Sequence, residues 1–173
     1  YNSKTLDMTY TLTVNRQGIA FPTCSSKVYT AASQTLFEAH TSGTYTNSAI
    51  TGTAVGDYTG DLTPTSNYQW NSGSSVTSAR TLTCSITKSD TTTSLSNIEK
   101  TYNGSNQAAS GASATLNSNS STISGAAFTY KYYTNNTCTT GETSTAPKAA
   151  GTYYVKATLT GTANYNTSSS ACK

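Results

Sequence analysis

The chain carries one series of short motifs twice, in the same order along the sequence. The first copy has VYTAASQ at 28–34, AVGDY at 54–58 and NY at 67–68, and the second has TYNGSNQ at 101–107, AAGTY at 149–153 and NY at 164–165. A tandem repeat in 173 residues predicts two domains of fewer than about 100 residues each, a length that suits small β-sandwiches. We therefore expect one repeat over 17–88 and a second over 89–173.

The two ends of the chain show a related pattern. Tyr1-Asn2 followed by TYTLTV at 9–14 resembles the NY motif of the first copy and the RTLTCSI segment at 80–86 that comes after it. We expect residues 1–16 to be the closing strand of a preceding repeat, or a linker strand. Lys173 stands where the second repeat should have its own closing strand, so we expect the chain to be part of a longer array.

Composition and periodicity predict an all-β fold. Only 34% of the residues are hydrophobic, and Thr and Tyr suit a half-buried pleated surface, whereas the many Ser, Asn and Gly favour turns. Larger apolar residues alternate in segments 10–14, 81–86 and 153–159, which is typical of strands with one buried face. Disorder is the alternative for so polar a chain, but 13 tyrosines argue for packed cores. We predict two tandem immunoglobulin-like β-sandwich domains.

Four cysteines fall two in each repeat, Cys24 with Cys84 and Cys138 with Cys172. No Cys-x-x-Cys pair occurs, so their spacing favours structural disulfides within each repeat over zinc ligation. Disulfides persist in oxidising compartments, which predicts a secreted, extracellular or cell-surface protein. Four reduced, buried thiols in a cytosolic protein are the alternative.

Charge and titratable residues argue against several functions. The net charge of +3 is scattered, with no basic stripe for a nucleic acid, and no apolar stretch approaches the roughly 20 residues of a membrane span. His40 is the only histidine, and the seven carboxylates form no privileged pair or cluster. We predict no enzyme activity, no cofactor, no metal, no nucleic-acid partner and no membrane insertion in this fragment.

Three motifs of the second repeat resemble a known family. Residues 100–104, 146–157 and 164–165 are similar to the opening turn, the alanine-proline to glycine-x-tyrosine strand and the asparagine-tyrosine corner of the MBG family of bacterial immunoglobulin-like repeats. The resemblance covers 100–165, and the first repeat is a diverged copy with Ala31-Ala32 in place of the turn glycine. It implies small β-sandwiches strung in series on secreted or surface-anchored, adhesin-like bacterial proteins, without catalytic residues.

This organisation predicts a non-catalytic structural stalk or spacer, whose partners are neighbouring repeats of the same polypeptide. The alternative is an adhesive or carbohydrate-binding module, with a host or cell-surface glycan or protein as its partner. Its ligand contacts would come from exposed aromatic residues. The candidates are Tyr45, Trp70, Tyr130, Tyr132 and Tyr133, for which core packing is the competing role.

Lys27 and Lys100 stand at equivalent positions, each two residues before the opening tyrosine of its repeat. On a regular strand they would share a face with that tyrosine. A buried lysine beside Asn or Asp and a carboxylic acid would allow an isopeptide cross-link. A lysine that reaches water at the sandwich edge is the competing interpretation.

Overall fold

A computed structural model describes residues 8–72 and 76–173 of the chain. These residues form strands, turns and loops without any helix, which confirms the all-β prediction. The strands are β1 (Gln17–Ile19), β2 (Lys27–Val28), β3 (Gln34–Phe37), β4 (Tyr45–Thr46), β5 (Ile50–Gly52), β6 (Gly56–Pro64), β7 (Tyr68–Trp70), β8 (Arg80–Thr87), β9 (Thr91–Ser94), β10 (Ser113–Leu116), β11 (Phe128–Tyr133), β12 (Tyr154–Leu159) and β13 (Ser168–Ser169).

We call residues 17–88 the N-terminal half and residues 89–173 the C-terminal half. Within the described residues, no sheet contains strands of both halves. The N-terminal half has a four-stranded sheet in the order β2-β8-β6-β4, together with the pairs β1-β7 and β3-β5. β6 and β8 are antiparallel, and β2 runs parallel to β8 on its other side. The alternation predicted in β8 is confirmed, because Leu82, Cys84 and Ile86 are buried and the intervening residues face outward or lie at the rim.

Side chains from the four-stranded sheet and from the two strand pairs together form the core of the N-terminal half. Its buried members are Leu36, Ile50, Leu62, Trp70, Leu82, Cys84 and Ile86. Trp70 and Leu62 are completely buried, and the Trp70 indole donates a hydrogen bond to the Ser78 carbonyl at 3.2 Å. A tryptophan in an apolar core needs such a partner for its N–H group.

The C-terminal half has the sheet β11-β12-β13 and the pair β9-β10. β11 pairs with β12 in a continuous antiparallel register from Phe128 opposite Leu159 to Tyr133 opposite Tyr154. Leu95, Ala114, Leu116, Ala157 and Leu159 are among its buried apolar residues. Tyr153, expected on the buried face of this strand, lies just before β12 and remains 37% exposed.

Corresponding motifs of the two halves make similar hydrogen bonds. Gln17 N–H donates to the Asn67 carbonyl at 2.9 Å, and Ser89 N–H donates to the Asn164 carbonyl at 3.2 Å. Each opening lysine donates to a carbonyl eight residues further along the chain. The tyrosines of AVGDY and AAGTY each donate to a carbonyl four residues back. Equivalent motifs therefore perform equivalent backbone functions in both halves.

Both disulfides are present with the predicted pairing. Cys24 is bonded to Cys84 over a separation of 60 residues, and Cys138 to Cys172 over 34 residues. The two bonds join different elements, since the first ties the segment before β2 to β8 and the second ties the loop after β11 to the segment after β13. Each half thus contains one disulfide, but the two disulfides lie at different places in the fold.

The strand predicted around residues 10–14 is not formed. Residues 8–14 belong to no strand and their side chains are all exposed. A β-strand needs hydrogen bonds from a neighbouring strand, and the described residues supply none here. Tyr1-Asn2 lies outside the described residues, and the assignment of 1–16 to a preceding repeat stays a prediction.

Candidate functional site at the junction between the two halves

The connection between the halves is short and fixed. β8 ends at Thr87 and β9 begins at Thr91, so only residues 88–90 join them. Ser89 is completely buried; its N–H donates to the Asn164 carbonyl, and its carbonyl accepts from Asn166 N–H at 2.9 Å. Its hydroxyl donates to the Asp90 carbonyl at 2.8 Å. Because every polar group of Ser89 is satisfied, the connector is held against the NY corner of the C-terminal half.

Asn164 of this corner also reaches the N-terminal half. Its side-chain Oδ1 accepts a hydrogen bond from Val55 N–H at 3.0 Å. Val55 belongs to the AVGDY motif and directly precedes the long strand β6, which begins at Gly56 of the same motif. One asparagine therefore binds the connector through its main chain and the other half through its side chain.

A second contact lies at the turn that follows β10. The Ser118 hydroxyl donates to the Tyr29 carbonyl at 2.6 Å, and Asn119 Nδ2 donates to the Thr30 carbonyl at 2.9 Å. The turn is closed by Ser120 N–H, which donates to the Leu116 carbonyl at 2.8 Å. In each half, the loop that forms this second contact differs from the loop that carries Val55 or Asn164.

Together these three hydrogen bonds define the junction. Each contributes a net stabilisation of about 0.5–1.5 kcal/mol, so the set fixes an orientation rather than building a large interface. Two separate contacts plus a short connector restrict bending as well as rotation. The geometry is suited to holding the two halves at a set angle.

Sequence reasoning did not identify Ser118, Asn119 or the side chain of Asn164 as contact residues. Their acceptors and donors on the other half are main-chain groups of Tyr29, Thr30 and Val55. Main-chain groups are present at every position, so no residue type in the sequence marks the contact. The NY motif itself was found, but as a local corner of its own repeat.

Three of the five aromatic residues considered as ligand contacts take the competing role of core packing. Trp70 is completely buried, and Tyr132 and Tyr133 are also in the core. The Trp70 ring packs edge-on against Phe21, with 5.0 Å between ring centroids. The Tyr132 hydroxyl accepts a hydrogen bond from Ala109 N–H at 2.8 Å. These three rings are packing residues, because their strands direct them into the interior.

The other two candidates are half-buried. The Tyr45 ring lies between His40 and Trp70, at centroid distances of 4.9 and 5.8 Å. The Tyr130 hydroxyl accepts a hydrogen bond from Ala112 N–H at 3.3 Å. Tyr45 and Tyr130 lie in different halves, so the structure assembles no aromatic platform from the predicted set.

Lys27 and Lys100 are both exposed, with their ammonium groups bonded to main-chain carbonyls. Lys27 Nζ donates to the Thr35 carbonyl at 2.7 Å, and Lys100 Nζ donates to the Ala108 carbonyl at 2.6 Å. An isopeptide bond requires a buried amine against a carboxamide or carboxylate. Each lysine instead bridges the loop that separates it from the carbonyl eight residues further along the chain.

Glu142 forms an ion pair with Lys131 and a hydrogen bond with Tyr133, and these contacts shift the pKa values of all three groups. Lys131 Nζ lies 2.9 Å from Glu142 Oε1, and the Tyr133 hydroxyl donates to Glu142 Oε2 at 3.0 Å. The hydrogen bond from Lys131, then that from Tyr133, lowers the pKa of Glu142. Burial and the bond to Glu142 raise the pKa of Tyr133, and the pKa of Lys131 is raised by the same carboxylate. The group braces the loop that carries Cys138.

Neither a metal centre nor a membrane span is found in residues 8–72 and 76–173. No three side chains of His, Cys, Asp or Glu are grouped there as metal ligands. No helix in this part of the chain is long and apolar enough to cross a membrane. Comparisons with protein-family models, with curated proteins and with solved structures found no match to this chain.

Proposed function

We propose that the chain is a structural spacer made of two tandem immunoglobulin-like β-sandwich repeats, part of a secreted or surface-anchored, adhesin-like bacterial protein. Its function is to set the distance and direction between the modules at its two ends. The partners of these two repeats are the neighbouring repeats of the same polypeptide. It performs no catalysis.

The junction is the observation that carries this proposal. Buried Ser89 and the three hydrogen bonds between the halves restrict how one half moves relative to the other. A flexible linker would leave the two units free to reorient, which is the default for domains with small interfaces. A spacer needs the opposite property, because reach is lost when the units fold back on each other.

The two disulfides support the same function. They indicate an oxidising environment outside the cytosol. Each closes a loop inside one half, which stabilises that half by about 4 kcal/mol through loop-closure entropy. A closed loop also cannot be pulled straight, so a stretched stalk keeps the closed loops of 60 residues in the N-terminal half and 34 residues in the C-terminal half locked. This property is useful to a module that carries load.

The test is the distribution of distances between the halves. We expect spin labels on the exposed residues Thr59 and Thr129 to give one narrow distance peak by pulsed electron resonance. Replacing both Asn119 and Asn164 with Ala should broaden it, because two of the three cross-junction bonds are lost. Asn103→Ala is the matched control, since that side chain accepts from Ser105 N–H within its own turn. A broad distribution in the unmodified chain would refute the spacer function.

The adhesive alternative gains no support from the aromatic residues that suggested it. Three of the five are buried, and the remaining two are half-buried in separate halves. A carbohydrate-binding platform needs aromatic faces open to the ligand. The spacer is therefore the function that the geometry favours.

A further inference from the structure

The opening turn of the C-terminal half contains the only Asn-Gly pair of the sequence, Asn103-Gly104. Both residues are exposed, and Gly104 has a positive φ of 78°, in the left-handed region. Apart from its chain neighbours, no group of the described residues lies within 4 Å of the position that a Cβ of Gly104 would take. The side-chain amide of Asn103 and the main-chain nitrogen of Gly104 therefore adjoin each other in an open part of the surface.

Two hydrogen-bond donors hold the side-chain oxygen of Asn103. Its Oδ1 accepts from Ser105 N–H at 3.0 Å and from Gln107 Nε2. The bond from Ser105 closes a turn that folds the asparagine side chain back along its own main chain. Gln107 Nε2 also donates to the Ser105 carbonyl at 3.0 Å, which fixes the second donor in place. The carboxamide of Asn103 is thus both oriented and polarised by its own turn.

This arrangement favours attack of the Gly104 nitrogen on Cγ of Asn103. Nitrogen and carbonyl belong to adjacent residues, so the two reacting groups need not be brought together from solution. Negative charge develops on Oδ1 as the new bond forms, and the two donors already directed at this oxygen stabilise that charge. Glycine carries no Cβ, which leaves its main-chain nitrogen unhindered. The turn therefore supplies the nucleophile, the electrophile and the oxyanion donors of an acyl transfer.

We propose that Asn103 is a site of self-modification, at which the folded chain loses the side-chain amide and forms aspartate and isoaspartate. The bond from the Gly104 nitrogen to Cγ closes a cyclic imide while the bond from Cγ to Nδ2 breaks. Ammonia leaves with the proton of the Gly104 N–H group. Water then opens the imide at either carbonyl, so no oxidant or reductant takes part. This goes beyond the proposed spacer, because it concerns a covalent change in the chain itself.

The corresponding turn of the N-terminal half cannot react in this way. Thr30 and Ala31 stand where the second copy has Asn103 and Gly104. Ala31 has a φ of 62°, so this turn also contains a residue in the left-handed region, but Thr30 has a hydroxyl instead of a carboxamide. The modification is therefore confined to one of the two opening turns. It adds a negative charge there, and isoaspartate also lengthens the main chain by a methylene group.

Asn119 provides an internal comparison within the same half. It is exposed, its Oδ1 accepts from Ser121 N–H at 3.1 Å, and the residue after it, Ser120, has a positive φ of 60°. It differs from Asn103 in the features that matter for the reaction, because Ser120 carries a Cβ beside the attacking nitrogen. Its leaving group is also held, since Asn119 Nδ2 donates to the Thr30 carbonyl at 2.9 Å. We expect Asn119 to keep its amide.

Incubation of the full chain in mildly alkaline buffer, followed by peptide mapping with mass spectrometry, tests the proposal. We expect residue 103 to become about 1 Da heavier, in two chromatographically distinct forms that correspond to aspartate and isoaspartate. The reaction at Asn103 should be roughly tenfold or more faster than any reaction at Asn119, because of the unhindered nitrogen and the second donor. Equal rates at the two asparagines, or an Asn103 amide that survives prolonged incubation, would overturn the proposal.

Variants of the turn separate the contributions of its parts. Gly104→Ala should slow the loss of the amide roughly tenfold, and the turn should accommodate it because Ala31 adopts a similar φ in the first copy. Gln107→Leu removes one oxyanion donor and should also slow the reaction roughly tenfold. Gln34→Leu changes the equivalent glutamine of the N-terminal half and should leave the rate at Asn103 unchanged. Melting curves monitored by circular dichroism confirm that each variant is folded. An unchanged rate in folded Gln107→Leu would show that the turn does not promote the reaction.

Discussion

The fold predicts a selective response to a cavity in the N-terminal core. Leu62 is completely buried in β6 and belongs to the same core cluster as Trp70. Cutting a buried leucine to alanine removes apolar contact and leaves a cavity, which costs about 2–5 kcal/mol. That loss is a large fraction of the roughly 5–15 kcal/mol that stabilises a typical domain. We expect Leu62→Ala to lower the urea midpoint of the N-terminal half by roughly 2 M, given a slope of about 1–3 kcal/mol per molar urea.

Trp70 makes this measurement specific, because it is the only tryptophan of the chain. Its fluorescence reports the unfolding of the N-terminal half alone. Leu159→Ala is the matched control, since Leu159 is equally buried but lies in β12 of the other half. It should destabilise the C-terminal half by a similar amount, visible in far-ultraviolet circular dichroism, and leave the Trp70 midpoint where it was. If Leu159→Ala moves the Trp70 midpoint as far as Leu62→Ala does, the two halves share one cooperative core and the two-domain interpretation is wrong.

Three further results are expected. In single-molecule stretching, reducing the two disulfides should release the closed loops of 60 and 34 residues and lengthen full extension by roughly 300 Å at about 3.4 Å per residue; equal lengths with and without reductant would contradict this. Glu142 has a pKa held below its usual 4.5 by Lys131, so its contribution to stability is complete above pH 4.5 and is lost as the pH falls through the lower folded-state pKa. Glu142→Gln should therefore flatten the acid side of a plot of melting temperature against pH, and an unchanged slope would count against the ion pair. Tyr153→Ala should cost no more than about 2 kcal/mol in a denaturant titration, because a 37% exposed ring loses mainly its hydrogen bond to Ala149; a loss as large as that of Leu159→Ala would show that the ring is a core residue.

Local sequence signals carried most of the information about individual strands. The alternation at 81–86 corresponds to β8, and the predicted run 153–159 corresponds to β12 except at Tyr153, which lies just before the strand. Both signals are reliable because side chains alternate across a strand wherever one face is buried. The same alternation at 10–14 did not correspond to a strand. Alternating apolar residues predict which side chains share a face, but they do not provide the neighbouring strand that the main chain must bond to.

The candidate site was less accessible to sequence reasoning than the strands were. The NY motif drew attention to Asn164, yet its contact with Val55 spans 109 residues and ends on a main-chain N–H. The aromatic residues show a second difficulty, which is that the sequence does not reveal which side chains are buried. Nothing in the sequence distinguishes the buried Trp70 from an exposed tryptophan of a binding surface, because burial is set by which strands pack over it.

The sequence by itself determined the all-β class, the alternation in β8 and the two cysteine pairs, which depend on composition, local periodicity and cysteine spacing. Tertiary structure alone decided the rest: the parallel pairing of β1 with β7 and the junction through Ser89 and Asn164. These features arise where segments distant in sequence meet through main-chain groups. Because every residue carries the same main-chain donor and acceptor, only the folded arrangement determines which of them find a partner and which remain open.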